Sequence, residues 1–164
     1  RLAVADTMDL WINVAHSELM ALLRQVDGIV LNDSEAELLT ESRNAVTAAR
    51  RILEAGPRFV IVKKGEHGSV LVHRDGVAVM PAFPAEEHHV VDPTGAGDSF
   101  AGGLMGSIAA SGAESFESIR AGLAWGTVVA SFTIESHGLD RLAGIDRETI
   151  DKRFAQFRDL ARVG

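Results

Sequence analysis

Short runs of apolar residues, separated by stretches with helical periodicity, restrict the architectures open to this sequence more than any other feature. "RLAVAD" opens the chain, and "IVLN" and "FVIVKK" follow. Between them, "NVAHSELMALLRQVD" places Leu19, Leu22, Leu23 and Val26 on one helical stripe that Asp27-Gly28 ends, and "SRNAVTAARRILEAGP" reads as a helix closed by Gly56 and Pro57. Runs that are apolar throughout belong to strands buried on both faces. Their alternation with helices predicts a three-layer α/β/α architecture with a largely parallel sheet. "GSVLVHRDGVAVM" alternates about Asp75-Gly76 and predicts an added antiparallel hairpin. In "DSEAELLT", Ser34 and Glu37 are spaced as a capping box. After the loop "PAFPAEE", "HHVVD" reads as a further strand, and three helices over about 96–111, 114–135 and 147–160 complete the chain.

The 164 residues, 46% apolar and 24% charged, suit one globular domain spanning 1–164, with no repeat, linker or low-complexity segment. The net charge of −7 comes without a basic run, which argues against nucleic acid and anionic membrane surfaces as partners. There is no cysteine, so disulfides and thiolate metal sites are excluded. No segment reaches the roughly 18 apolar residues of a membrane span and the start has no signal-peptide pattern, so a soluble cytoplasmic protein is expected. Because "RLAVAD" already reads as a buried strand, the sequence is expected to be part of a longer protein.

The chemistry concentrates in "VVDPTGAGDSFAGGLMG". A Gly95-Ala96-Gly97 turn at a helix start points successive backbone N–H groups into one small space, a cradle for an anion such as phosphate. Asp98 lies beside it in the first helical turn. The plainer reading is an acid complementing the helix dipole, worth a few tenths to about 1 kcal/mol, beside an ordinary turn. The helix itself favours function: each interior glycine costs about 1 kcal/mol relative to alanine, so Gly102, Gly103 and Gly106 are expected to let another element approach closely along a helix whose core stripe is Phe100, Leu104 and Ile108. A dinucleotide fingerprint fails on spacing, since Phe100 stands where its third glycine belongs. A P-loop fails because no Gly-Lys-Ser/Thr occurs. The six histidines do not cluster: His88 and His89 would face opposite sides of a strand, and His16, His67, His73 and His137 read as surface or loop residues, so no transition-metal site is expected. Ser99 has no histidine at a recognisable spacing, which leaves a serine hydrolase unsupported.

"DPTGAGDSFAGG" resembles the D-T-x-G-A-G-D signature of the ribokinase or PfkB family of sugar kinases. Further stretches are similar to that family: "LNDSEAELLT" to its N-x-x-E segment, "VIVKKGEHGSVL" to its strand, G-x-x-G turn and strand, and "ASFTIESHG" to its closing helix. The resemblance covers only the C-terminal half of a family member, without the N-terminal half that carries the lid and most sugar contacts. It implies a partial ribokinase-like, Rossmann-like fold and ATP with Mg²⁺ as reactants. Asp98 would be the general base toward a sugar hydroxyl, and Gly95, Ala96 and Gly97 would stabilise charge on the transferring phosphoryl group. Asn32 and Glu35 would organise magnesium and phosphate through water, although by themselves they fit a strand end and a helix start. Gly65 and Gly68 would contact the nucleotide; alone they are a hairpin turn. Lys63, where ribokinase has Thr, either reaches phosphate as a point charge or is a solvated strand end. Thr127 would lie near the adenine. Asp92, with the backbone at Thr94 and the segment 130–138, matches the family's monovalent cation loop, but Pro93 replaces the usual Thr and leaves potassium open. A homodimer of the full-length protein is compatible with the resemblance.

Two functional classes follow. One is an ATP-dependent kinase acting on a sugar or a nucleoside; the other is a ligand-binding protein that kept the fold without turnover, since a fold alone does not define chemistry. The intact Asp98 and its glycine turn favour the kinase. With the acceptor half missing, the 164-residue chain is expected to be inactive alone.

Overall fold

The computed structural model describes residues 1–86 and 89–161. Chain contacts divide it into two compact units, Arg1–Val79 and the part from Met80 onward. The first unit carries one mixed sheet in the order β1 (Val4–Asp6), β2 (Gly28–Asn32), β3 (Phe59–Lys63), β4 (Ser69–His73) and β5 (Gly76–Met80), whose last residue lies past the unit boundary. β1 runs parallel to β2, and β2 parallel to β3, in a register that aligns Asn32 with Lys63. β4 returns antiparallel and sets Ser69 opposite Lys63. The crossovers are α1 (Asp9–Val14) and α2 (His16–Leu23) before β2, then α3 (Asp33–Thr40) and α4 (Ala45–Glu54) before β3.

The wholly apolar runs explain themselves in the burial. Ile29, Leu31, Val60, Val62, Val70 and Val72 alternate onto one face and pack with Leu23, Ala48, Ala49 and Ile52. On the opposite face Val30, Ile61 and Leu71 are equally buried. A strand of this kind has no solvated side, so its polar residues are pushed to the ends. Burying each such Val, Leu or Ile contributes about 1.5–3 kcal/mol.

Three local expectations change. The helix read over 13–27 is two helices with a corner at Ala15 (φ −138°, ψ 38°), which buries Leu19 and Leu23 and leaves Leu22 41% exposed. The capping box lies two residues earlier than its Ser/Glu spacing suggested, on Asn32 and Glu35, because β2 ends at Asn32 and α3 starts at once. His73 is buried in β4 rather than at the surface, stacked on Phe59 at 6.4 Å between ring centres.

The second unit is helical. α5 (Ala96–Ser111) and α8 (Arg147–Leu160) match the expected ranges, α6 (Phe116–Thr133) is shorter by two residues at each end, and a short α7 (Asp140–Ala143) was not anticipated. "HHVVD" does not form a strand over His89–Asp92; instead the Val91 and Asp92 N–H groups both donate to the Ile134 carbonyl, at 2.8 and 3.3 Å. His88 lies outside the described residues.

α5 and α6 pack with their backbones almost touching. A Cβ on Gly103 would stand 2.9 Å from the Trp125 carbonyl oxygen, and one on Gly126 would stand 2.7 Å from that of Phe100. The close approach expected of Gly103 is therefore present, with Gly122 and Gly126 answering from α6. Gly102 and Gly106 do not take part: nothing lies within 4 Å of either missing Cβ. Phe100, Leu104 and Ile108 are buried as the stripe predicted.

Candidate active site

Polar groups gather at the carboxyl ends of β1, β2 and β3, the end at which open α/β sheets take their ligands. Each of these strands finishes on a polar residue: Asp6, Asn32 and Lys63. Asn32 caps α3, its Oδ1 accepting the Glu35 N–H at 2.8 Å while Glu35 Oε2 accepts the Asn32 N–H at 2.7 Å. This reciprocal pair satisfies two helix-end donors and spends only one polar atom of each side chain. The Asn32 amide nitrogen and Glu35 Oε1 have no partner among the described residues. Glu35 is 7% exposed, and burial pushes its carboxyl above the ordinary range, against the Asn32 N–H and Lys63, which pull it down, and with Asp6 and Asp9, which push it further up.

Lys63 Nζ reaches Asp6 Oδ2 at 3.4 Å, a partner that no spacing in the sequence announced. The visible signal was positional: Asp6 ends a parallel strand as Asn32 and Lys63 do. Beside them the buried hydroxyls of Thr7 and Ser69 have no hydrogen-bond partner among the described residues, so this end of the sheet has unused polar capacity of the kind a ligand or bound water satisfies. The turn after β3 is a short 3₁₀ segment, Gly65–His67, closed by Gly68, with positive φ at both glycines (54° and 85°). Asn32, Glu35, Lys63, Gly65 and Gly68 thus all belong to one end of the first unit.

In the second unit the loop before α5 is tied in place from both sides. Asp92 Oδ1 accepts the Thr94 N–H at 2.9 Å, and Oδ2 faces His137 Nδ1 at 3.4 Å. The Thr94 backbone N–H, assisted by the Thr94 hydroxyl and His137, holds the Asp92 carboxyl below the usual range. Gly95 sits at the N-cap with φ 81°, ψ −3°, left-handed backbone that favours glycine. The Ala96 N–H donates to the Pro93 carbonyl at 3.1 Å, so of the three amides expected to form the cradle this one is engaged. Gly95, Gly97 and Asp98 N–H have no acceptor among the described residues. Asp98 is exposed in the first turn of α5.

Directly after it, Ser99 is buried and its Oγ accepts a hydrogen bond from Thr133 Oγ1 at 2.8 Å, which pins the first turn of α5 to the end of α6. Asp92, Gly95, Gly97 and Asp98 therefore share one loop and helix start, which Ile134 and His137, from the 130–138 segment that the sequence paired with them, hold in place. Thr127 is set apart from this turn: it is buried in mid-α6, six residues before Thr133, or about 9 Å along the axis. Among the described residues no group of three or more His, Cys, Asp or Glu side chains could hold a metal ion, and no helix is long and apolar enough to cross a membrane.

A mixed sheet whose parallel strands end on polar residues in one unit, and a glycine turn feeding an acid-bearing helix in the other, define a ribokinase-like α/β protein. The structural neighbours agree. The chain superposes on the aminoimidazole riboside kinase of Salmonella enterica with a TM-score of 0.80 at 18% identity, covering 92% of this chain and 51% of that one. It matches the nucleoside kinase of Methanocaldococcus jannaschii with a TM-score of 0.77 at 24% identity, over 95% of this chain and 48% of that one. The chain belongs to the pfkB family of carbohydrate kinases, whose profile matches residues 4–143. Among curated relatives, the cytidine kinase of Thermococcus kodakarensis is 36% identical over 87 residues, 53% of this chain and 31% of that protein. The chain thus spans about half the length of the solved neighbours and less of that relative.

Proposed function

We propose that the chain is the nucleotide-binding and catalytic part of a kinase that transfers the γ-phosphoryl group of ATP to a hydroxyl of a sugar or of a nucleoside. The first turn of α5 carries this reading: an exposed carboxylate, Asp98, stands beside the Gly95, Gly97 and Asp98 N–H groups, none of which has an acceptor among the described residues. Family membership supports it, as does the Salmonella neighbour, which was crystallised with aminoimidazole riboside and an ATP analogue.

In this reading the acceptor hydroxyl gives its proton to Asp98 as its oxygen bonds to the γ-phosphorus, and the bond to the β,γ-bridging oxygen breaks to release ADP. Magnesium-bound ATP supplies the phosphoryl group. The free amides of the α5 start meet charge on the phosphoryl oxygens without reorganising. Lys63 offers a further cation to phosphate. Glu35 Oε1 and the Asn32 amide, left over from the capping box, would hold water bound to the magnesium. The Asp92 loop, with its carboxylate kept ionised, is the place for a monovalent cation if potassium is used. A cytoplasmic setting fits ATP as donor.

The test is Asp98→Asn in a polypeptide of the relatives' full length that carries this sequence. The amide has nearly the same shape and is a poor base. kcat is expected to fall at least about 100-fold, the scale of a lost general base, with the Kd for MgATP within about twofold. Near-normal turnover returns Asp98 to a helix-capping role.

A further inference from the structure

α8 lies beyond the residues that the family profile matches, yet its Arg153 is tied to the loop that carries Asp92. The Arg153 side chain is 17% exposed and pairs with Glu135 Oε1 at 2.7 Å. Its second arm donates to Ser131 Oγ at 3.2 Å, and its guanidinium lies over the Phe132 ring at 3.5 Å and the Phe83 ring at 5.2 Å. A guanidinium held on two ring faces and by two acceptors has lost nearly all rotamer freedom and acts as a fixed point. Glu135 is claimed a second time, by Arg141 Nε at 3.1 Å, and the Arg141 N–H is bound by Ser136 Oγ at 2.9 Å. The residue just before Glu135 is Ile134, whose carbonyl accepts both Val91 and Asp92 N–H. The residue just before that is Thr133, bonded to Ser99 in the first turn of α5.

The geometry points to Arg153 as a positioning residue for the phosphoryl-transfer turn: through Glu135 it fixes the Thr133–Ile134 backbone, and through that backbone the Asp92 loop and the first turn of α5. The inference rests on the kinase reading for its functional meaning and on the contacts alone for its structural content. A merely structural arginine would stabilise α8 against α6 and affect the whole unit evenly. A positioning arginine acts on the few groups downstream of Glu135.

Backbone amide exchange in the 164-residue chain, followed by NMR, separates the two. Arg153→Gln is expected to speed exchange at Val91 and Asp92 by about tenfold or more, while Leu104 and Leu123, in the α5–α6 core, change by less than about threefold, as local opening differs from global unfolding. Arg153→Lys, which keeps the charge, restores part of the protection. The Arg153→Gln, Glu135→Gln double variant is expected to open the loop no further than Glu135→Gln alone, since Arg153 reaches the loop through Glu135. Uniform acceleration, or unchanged Val91 and Asp92 exchange, overturns the assignment. Should Arg153→Gln fail to fold, Glu135→Gln carries the test: it removes the ion pairs of Glu135 with both Arg153 and Arg141, keeps Arg153 on the Phe132 ring, and unaltered protection at Val91 and Asp92 overturns the assignment equally. A titration with MgADP, read at the Gly97 and Asp98 amides, is expected to show weaker binding in whichever variant opens the loop; equal affinity despite an open loop overturns the positioning role. If the native chain gives no MgADP shift at all, the kinase reading fails, and the exchange pattern still decides whether Arg153 fixes the loop.

Discussion

At the scale of single residues, the N-x-x-E pair makes a helix cap with only part of its polar atoms. Asn32 and Glu35 close a helix with one oxygen each and keep one polar atom each in reserve, so the cap leaves an atom on each side chain for the ligand role proposed above. The buried position of Glu35 has a pH consequence. Its carboxyl is raised in the folded state, chiefly by burial. A raised folded value means the group favours folding below its unfolded value of 4.5 and loses that contribution as pH rises through the folded one. Glu35→Gln removes the titration. The stability of the native protein relative to this variant, from urea denaturation between pH 4 and 8, is therefore expected to fall with rising pH; a flat difference would mean that Glu35 does not feel its burial. Asp6 and Arg153 were not legible in the sequence, because an ion pair bridging 57 positions, from Asp6 to Lys63, or a guanidinium reaching from α8 to Glu135 leaves no periodic trace.

Elements were legible where periodicity and punctuation agreed. α5 and α8 fall on their expected ranges because each begins after a turn or an aspartate cap and carries one apolar stripe. "HHVVD" failed because a short apolar run cannot distinguish a strand from a segment that hangs two N–H groups on a helix end. The glycines of α5 and α6 divide by what faces them, which sequence alone does not reveal. Gly126→Ala would bring a Cβ to 2.7 Å from the Phe100 carbonyl oxygen, an overpacking expected to cost about 1–3 kcal/mol. Gly102→Ala meets open space and is expected to stabilise the helix by up to about 1 kcal/mol. Urea midpoints of the two variants, moving in opposite directions, check the packing; a matching loss in both would show that Gly102 is covered.

For the whole molecule, the sequence disclosed the family through its motifs and the sheet through its apolar runs. Its even composition showed nothing of the division into two units, since each has its own core without a linker between them. The proposed groups are distributed accordingly, Asn32, Glu35 and Lys63 in one unit and Asp98 with its amides in the other. The chain covers about half the length of the solved neighbours, and transfer depends on holding both reactants in line, worth effective molarities of about 10⁵ M or more. The 164-residue chain is expected to bind MgADP weakly by calorimetry and to release no ADP in response to any member of a sugar and nucleoside panel. Robust sugar-dependent turnover would place an acceptor site within these residues. The capping duty of Asn32 and Glu35 reaches into the cell as well. A variant at either position loses a helix cap, worth about 0.5–2 kcal/mol, and losses of that size alter how much protein survives quality control. In a growth-based mutational screen these two positions would score as essential even if their reserved atoms never met a phosphate, so only rates normalised to the amount of folded protein can separate the chemistry from the supply.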